Sequence, residues 1–165
     1  MEKYVGIDCS SKAVHIVILD GKEQLIDKYK WESELKTADA RFLDIVDQIH
    51  TGLPEFKDAE LVCVEDTIYI QNPLTTRTIT AIVYSIIYFL HYNDVKCLTT
   101  KPQQWKKVLN NTMVFKKGKA KETIMEYVKN KWEKEDFIEQ DYADAACIAL
   151  YGLKKDKESK DNGST

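Results

Sequence analysis

Four carboxylates stand where an isolated charge is expensive, and their types and placing suggest one chemistry. Asp8 ends the β-branched and aromatic run Tyr4 to Ile7, and Glu65 ends the apolar run LVCV at 61–64. Asp141 and Asp144 lie three apart at the head of an apolar helical pattern that continues through Ala145 and Ile148, so both share its packing face. A buried acid without a partner costs several kcal/mol. Four of them close together cannot all stay ionised without cations, because like charges a few Å apart repel strongly. All-oxygen ligation selects hard divalent ions, Mg²⁺ or Mn²⁺. Two such ions about 3.5–4 Å apart form the clamp that hydrolyses phosphodiesters. The competing reading of Asp8 is a turn cap, and that of Asp141 a helix N-cap.

The elements that must position these acids follow from periodicity. Tyr4–Ile7 and Ala13–Leu19 read as a hairpin about Cys9–Lys12, and Glu23–Trp31 as a third strand after a turn at Gly21. Thr37 caps a predicted helix to about His50, ended by Gly52 and Pro54. Leu61–Glu65 reads as a central strand covered on both faces. Asn72 and Pro73 open a long helix to about Tyr92 that is apolar over more of its circumference than one core face needs. Such a helix is central to the domain and shared with a second copy, so a homodimer through 72–92 is expected. Val95–Leu98 is the fifth strand. Helices follow at 102–109, 119–132 and 141–153, and the charged stretch 154–165 reads as a disordered tail. The layout is α/β, with a mixed five-stranded sheet flanked by helices and a single domain over 1–153.

Composition narrows the alternatives. The chain has 165 residues, 44% of them hydrophobic, and a net charge of −3, with only 6 glycines and no G-x-G-x-x-G or Walker loop. Charge is unevenly spread: between Lys101 and Lys131 there are nine lysines against Glu122 and Glu126. A basic lobe beside an acidic one suits phosphate binding near a metal site. The four cysteines lack C-x-x-C spacing and do not cluster with the three histidines, which argues against zinc. Free thiols and the absence of a leader-like N-terminus point to the cytoplasm. The longest apolar run, 79–90, is too short to span a bilayer, so no membrane partner is expected.

The sequence resembles the RuvC-type Holliday junction resolvases of the ribonuclease H-like superfamily, and among them the phage-borne relatives. The resemblance rests on Gly6-Ile7-Asp8, Val64-Glu65 ahead of a long helix containing Asn72, Pro102 with Lys106 and Lys107, Gly118-Lys119-Ala120-Lys121, and Asp141-Tyr142-Ala143-Asp144-Ala145. It covers about residues 3 to 153. It implies that Asp8, Glu65, Asp141 and Asp144 are the metal-binding and catalytic acids, with two Mg²⁺ or Mn²⁺ ions per site and no small-molecule cofactor. It also implies a homodimer that nicks opposed strands of a four-way DNA junction, leaving 5′-phosphate and 3′-hydroxyl. Lys121 takes the position near the scissile phosphate. Lys106, Lys107, Lys117 and Lys119 would join it in sequence-independent phosphate contacts. Tyr69, beside Ile68, falls next to the position of an aromatic that stacks at the junction centre. If the chain is phage-encoded, the cytoplasm is that of a bacterial host. A ribonuclease H-like enzyme on RNA–DNA hybrids or flaps, and a junction-binding protein without catalysis, are the alternatives. Trp105 and Trp132 are candidates for base stacking or for the core.

Overall fold

Alternation along one strand organises the molecule. In β1 (Lys3–Cys9), Val5 and Ile7 point to one side of the sheet while Tyr4, Gly6 and Asp8 point to the other. The computed structural model of the chain describes residues 1–66, 72–109, 118–133, 137 and 139–163. β2 (Ala13–Asp20) and β3 (Leu25–Glu32) continue from β1 as an antiparallel meander. β4 (Leu61–Glu65) then pairs with β1 in parallel, and β5 (Cys97–Thr100) with β4. The order β3-β2-β1-β4-β5 is the mixed five-stranded sheet expected from the sequence. β4 is covered on both faces, with Leu61 to Val64 all buried.

One face carries α1 (Ala38–Gly52) and α2 (Pro73–Tyr92). Thr37 and Asn72 cap them as expected: Thr37 Oγ1 accepts from the Ala40 amide, and Asn72 Oδ1 from the amides of Leu74 and Thr75. Ile45, Ile49, Ile79, Ile82, Val83, Ile86 and Leu90 pack from these helices onto Val5, Ile7, Val62 and Val64. Each fully buried aliphatic of this kind contributes about 1.5–3 kcal/mol. By length and composition α2 reaches what crossing a membrane needs, contrary to the reading of its apolar run as too short. One face of it belongs to the core cluster, while most of the helix is not buried.

The opposite face carries α3 (Pro102–Leu109), α4 (Ala120–Lys131) and α5 (Gln140–Asn162). α5 lies across β1, β2 and β4. Gly6 makes that approach feasible, because a Cβ there would collide with the Ala145 carbonyl oxygen and the Ala149 amide nitrogen. Two expectations are corrected here. The fifth strand runs two residues later than Val95–Leu98, because its ladder to β4 spans Cys97 to Thr100. Residues 154–162 are the last turns of α5 and not a disordered tail. Asp156 anchors them: it is buried and bonded to Tyr4 Oη (3.0 Å), Lys96 Nζ (2.6 Å) and Lys160 Nζ (2.8 Å).

Candidate active site

The parallel β1–β4 ladder puts the two strand-end acids side by side. Ile7 is registered with Val64, so Asp8 and Glu65 follow as the next pair at the same sheet edge. The first turn of α5 ends over this edge. Its N-cap is Glu139, whose side chain makes no capping bond, so Asp141 is a first-turn residue and not the N-cap. Asp144 lies one turn on from Asp141, next in sequence to Ala145, whose carbonyl lies at Gly6.

Electrostatics tie the four acids together. Burial pushes the Asp8 carboxyl well above the usual range, and the negative charges of Glu65, Asp144 and Asp141 push it further. Glu65 is raised by burial and by Asp144, against the opposing effect of its bond from Trp105 and the charge of Lys106. Asp144 is raised by burial and Asp141, while the Gln140 bond, Lys106 and Lys121 pull it down. Asp8, Glu65 and Asp144 therefore each sense another acid of the set.

Protein donors hold two of them in place. Trp105 Nε1 donates to Glu65 Oε2 at 2.6 Å, and Gln140 Nε2 to Asp144 Oδ1 at 2.9 Å. So held, the acids do not close on one point: among the described residues, no three Asp, Glu, His or Cys side chains form a group that could hold a metal ion. The donor chemistry is still that of a hard cation site, since Asp8 is a deeply set carboxylate whose nearest charges are other carboxylates.

Of the predicted lysines, Lys106 and Lys121 come within electrostatic reach of the acids, Lys106 of both Glu65 and Asp144 and Lys121 of Asp144. Lys106 Nζ lies 4.9 Å over the Trp105 ring. Lys107 is exposed on α3, and Lys119 pairs with Glu122 at 3.6 Å. Lys117 and Tyr69 lie outside the described residues. Base stacking by the tryptophans is ruled out by burial. Trp105 is 1% exposed and Trp132 5%, and the Trp132 indole N–H is bonded to the Glu23 carbonyl.

Three contributors escaped the sequence reading: Trp105 as the Glu65 donor, Gln140 as the Asp144 donor, and His15. His15 sits on β2 directly opposite Asp8, 3% exposed, with Nε2 3.1 Å from Glu139 Oε2 and Nδ1 3.8 Å from Asp141 Oδ2. A signal for Gln140 existed in its i, i+4 spacing to Asp144. The other two are long-range.

Three solved structures share this architecture over nearly the whole chain. Thermus thermophilus RuvC superimposes with a TM-score of 0.74 at 20% identity, covering 95% of this chain and 96% of that one. The fold is that of RuvC. The same Thermus protein in complex with Holliday junction substrate gives a TM-score of 0.72 at 19% identity, covering 92% of each chain. The yeast mitochondrial Holliday junction resolvase Ydc2 gives 0.66 at 17% identity, covering 95% of this chain and 80% of its own. No protein-family model matches the sequence. No curated protein sequence matches it either. The fold class read from the sequence, ribonuclease H-like with a mixed five-stranded sheet, is thus found.

Proposed function

We propose that the chain is a divalent-metal-dependent endonuclease that resolves four-way DNA junctions. The observation that supports this reading is that the buried Asp8 carboxyl senses the charges of Glu65, Asp144 and Asp141 in a chain with the RuvC fold. Asp8, Glu65, Asp141 and Asp144 would hold Mg²⁺ or Mn²⁺, two ions per site. The ions supply charge neutralisation and an acidified water at neutral pH. The remaining work falls to the protein's own groups. Gly6 seats α5 so that Asp144 comes over the strand-end acids. Trp105 fixes the rotamer of Glu65, and Gln140 that of Asp144. Lys106 and Lys121 bring positive charge to the site, where a scissile phosphate needs it, with Lys121 set to stabilise charge developing in the transition state. Lys107, Lys117 and Lys119 extend phosphate contacts along α3 and the segment before α4, and Tyr69 stacks at the junction centre. In-line attack by water leaves 5′-phosphate and 3′-hydroxyl ends.

Resolution needs two opposed nicks, and α2 supplies the surface for a second copy. Tyr84, Tyr88 and Tyr92, at i, i+4, i+8, are 61%, 61% and 74% exposed on the side away from the core. An aromatic row of this kind on a monomer marks an interface. The four cysteines are free, which suits a reducing, cytoplasmic setting.

The test is cleavage of a mobile four-way junction in Mg²⁺ and Mn²⁺ beside a linear duplex, a flap and an RNA–DNA hybrid, with light scattering for the dimer. Paired symmetric nicks on the junction, absent in Asp8→Asn, are expected. Cutting of the hybrid with the junction spared would instead make the chain a ribonuclease H-like enzyme. Binding of the junction with no cutting would reduce it to a junction-binding protein.

A further inference from the structure

We infer that His15 is a nitrogen ligand in the metal centre, paired with Asp141 and aimed by Glu139. This rests on the metal-dependent reading above. Strand alternation sends His15 to the α5 face with Val17 and Leu19, and the ladder sets it directly opposite Asp8. Residues so opposed have Cβ atoms about 5 Å apart. His15 therefore stands between the strand-end acid and the first turn of α5.

The two ring nitrogens are treated differently. Nε2 is 3.1 Å from Glu139 Oε2, and since a carboxylate only accepts, the ring donates Nε2–H there. Lys30 Nζ, 3.3 Å from Glu139 Oε1, holds the same carboxylate from its other side. With the proton placed on Nε2, a neutral ring turns its Nδ1 lone pair toward α5. Nδ1 is buried without a hydrogen-bond partner, and the nearest acidic oxygen is Asp141 Oδ2 at 3.8 Å. That separation is too long for a hydrogen bond. It suits two donors sharing one ion: ligands each about 2.1 Å from a cation stand roughly 3.0 to 4.2 Å apart, depending on the angle between them. A carboxylate that fixes the far nitrogen of a histidine is the usual support for a metal-bound imidazole. Tyr142 packs edge-on against the ring at 4.8 Å and limits its rotation. One nitrogen among oxygens shifts ion preference away from Mg²⁺ and toward Mn²⁺.

Electron spin echo spectroscopy of bound Mn²⁺ tests this on the full chain without DNA. Protein grown with ¹⁵N-histidine is compared with unlabelled protein, alongside His15→Gln and Glu139→Gln. We expect a directly coordinated nitrogen whose signal changes isotope on labelling and vanishes in His15→Gln. Mn²⁺ affinity should fall 10- to 100-fold in His15→Gln and about 10-fold in Glu139→Gln, with the Mn²⁺ over Mg²⁺ preference narrowed in both. The labelled wild-type chain keeps the test valid if His15→Gln misfolds. Mn²⁺ bound without histidine coupling, or coupling that survives in His15→Gln, would overturn the inference and leave the metal-dependent reading standing. A wild-type chain that binds no Mn²⁺ overturns both.

Discussion

Two carboxylates lie at opposite ends of the same β1–α5 contact, and the protein treats them in opposite ways. Asp156, late in α5, is bonded to Tyr4 at the start of β1 and to two lysines; burial alone would raise its carboxyl, but Lys160, Lys96 and Tyr4 outweigh it and hold it down at about 2. Asp8, at the far end of β1, meets Glu65, Asp144 and Asp141, and its carboxyl is held well above the usual range. One acid is a fastener with its charge fully compensated. The other is kept short of positive charge, a condition that lowers stability and that a ligand would relieve. Compensation thus separates a structural acid from a candidate functional one better than burial does.

Removing the uncompensated charge should have the largest effect. Asp8→Asn is expected to lower junction cleavage by about a thousandfold or more in single-turnover assays, while leaving the fold intact. Trp105→Phe takes the N–H from Glu65 and leaves a gap where the larger indole packed, so a loss of about 10- to 100-fold in cleavage by the folded fraction is expected together with a lowered melting temperature. Lowered stability with cleavage by the folded fraction unchanged would make Trp105 a core residue only. At the compensated end the signs reverse. Asp156→Ala should cost about 2–3 kcal/mol in denaturant unfolding, because it empties a buried site bonded to Tyr4, Lys96 and Lys160, and leave cleavage by the folded fraction unchanged.

The pH responses sharpen the contrast. Asp156 has a folded value below its unfolded one of about 3.9, so its stabilisation is complete above that value and disappears as pH falls toward about 2. The difference between wild type and Asp156→Ala should collapse across that window. Asp8 is raised on folding, so its ionised form opposes folding at neutral pH. Metal-free Asp8→Asn should therefore unfold at a higher temperature than wild type at neutral pH, and the gap should close in acid. Smallest of all, Tyr4→Phe removes one hydroxyl from the Asp156 cluster and should cost about 1 kcal/mol.

The strand-end acids could be read in the sequence because an acid closing an apolar run is a local anomaly, and the capped helices because Thr37 and Asn72-Pro73 are local signals. The supports of those acids were not legible. Trp105 reaches Glu65 across 40 positions, and an indole in an amphipathic helix looks like core, which it also is. His15 occupies an ordinary inward place in β2, and nothing nearby in sequence says that Asp141 will arrive beside it. The end of α5 was misread because its composition is that of a disordered tail. Spacing held the correction: Ala145, Ala149, Gly152 and Asp156 step by 4, 3 and 4, one helix face running on into the charged stretch. Charge there is not solvation, since Asp156 is 2% exposed.

The missing side chain at position 6 acts as the gauge for the whole centre. The separation of sheet and helix at Gly6 is set by backbone touching backbone, with no compressible side chain between. Asp8 lies two residues from that point along the strand, and Asp144 is the residue before Ala145 on the helix. Any thicker contact would pivot one acid-bearing element away from the other, so a position with no functional group sets the tolerance within which the functional groups work.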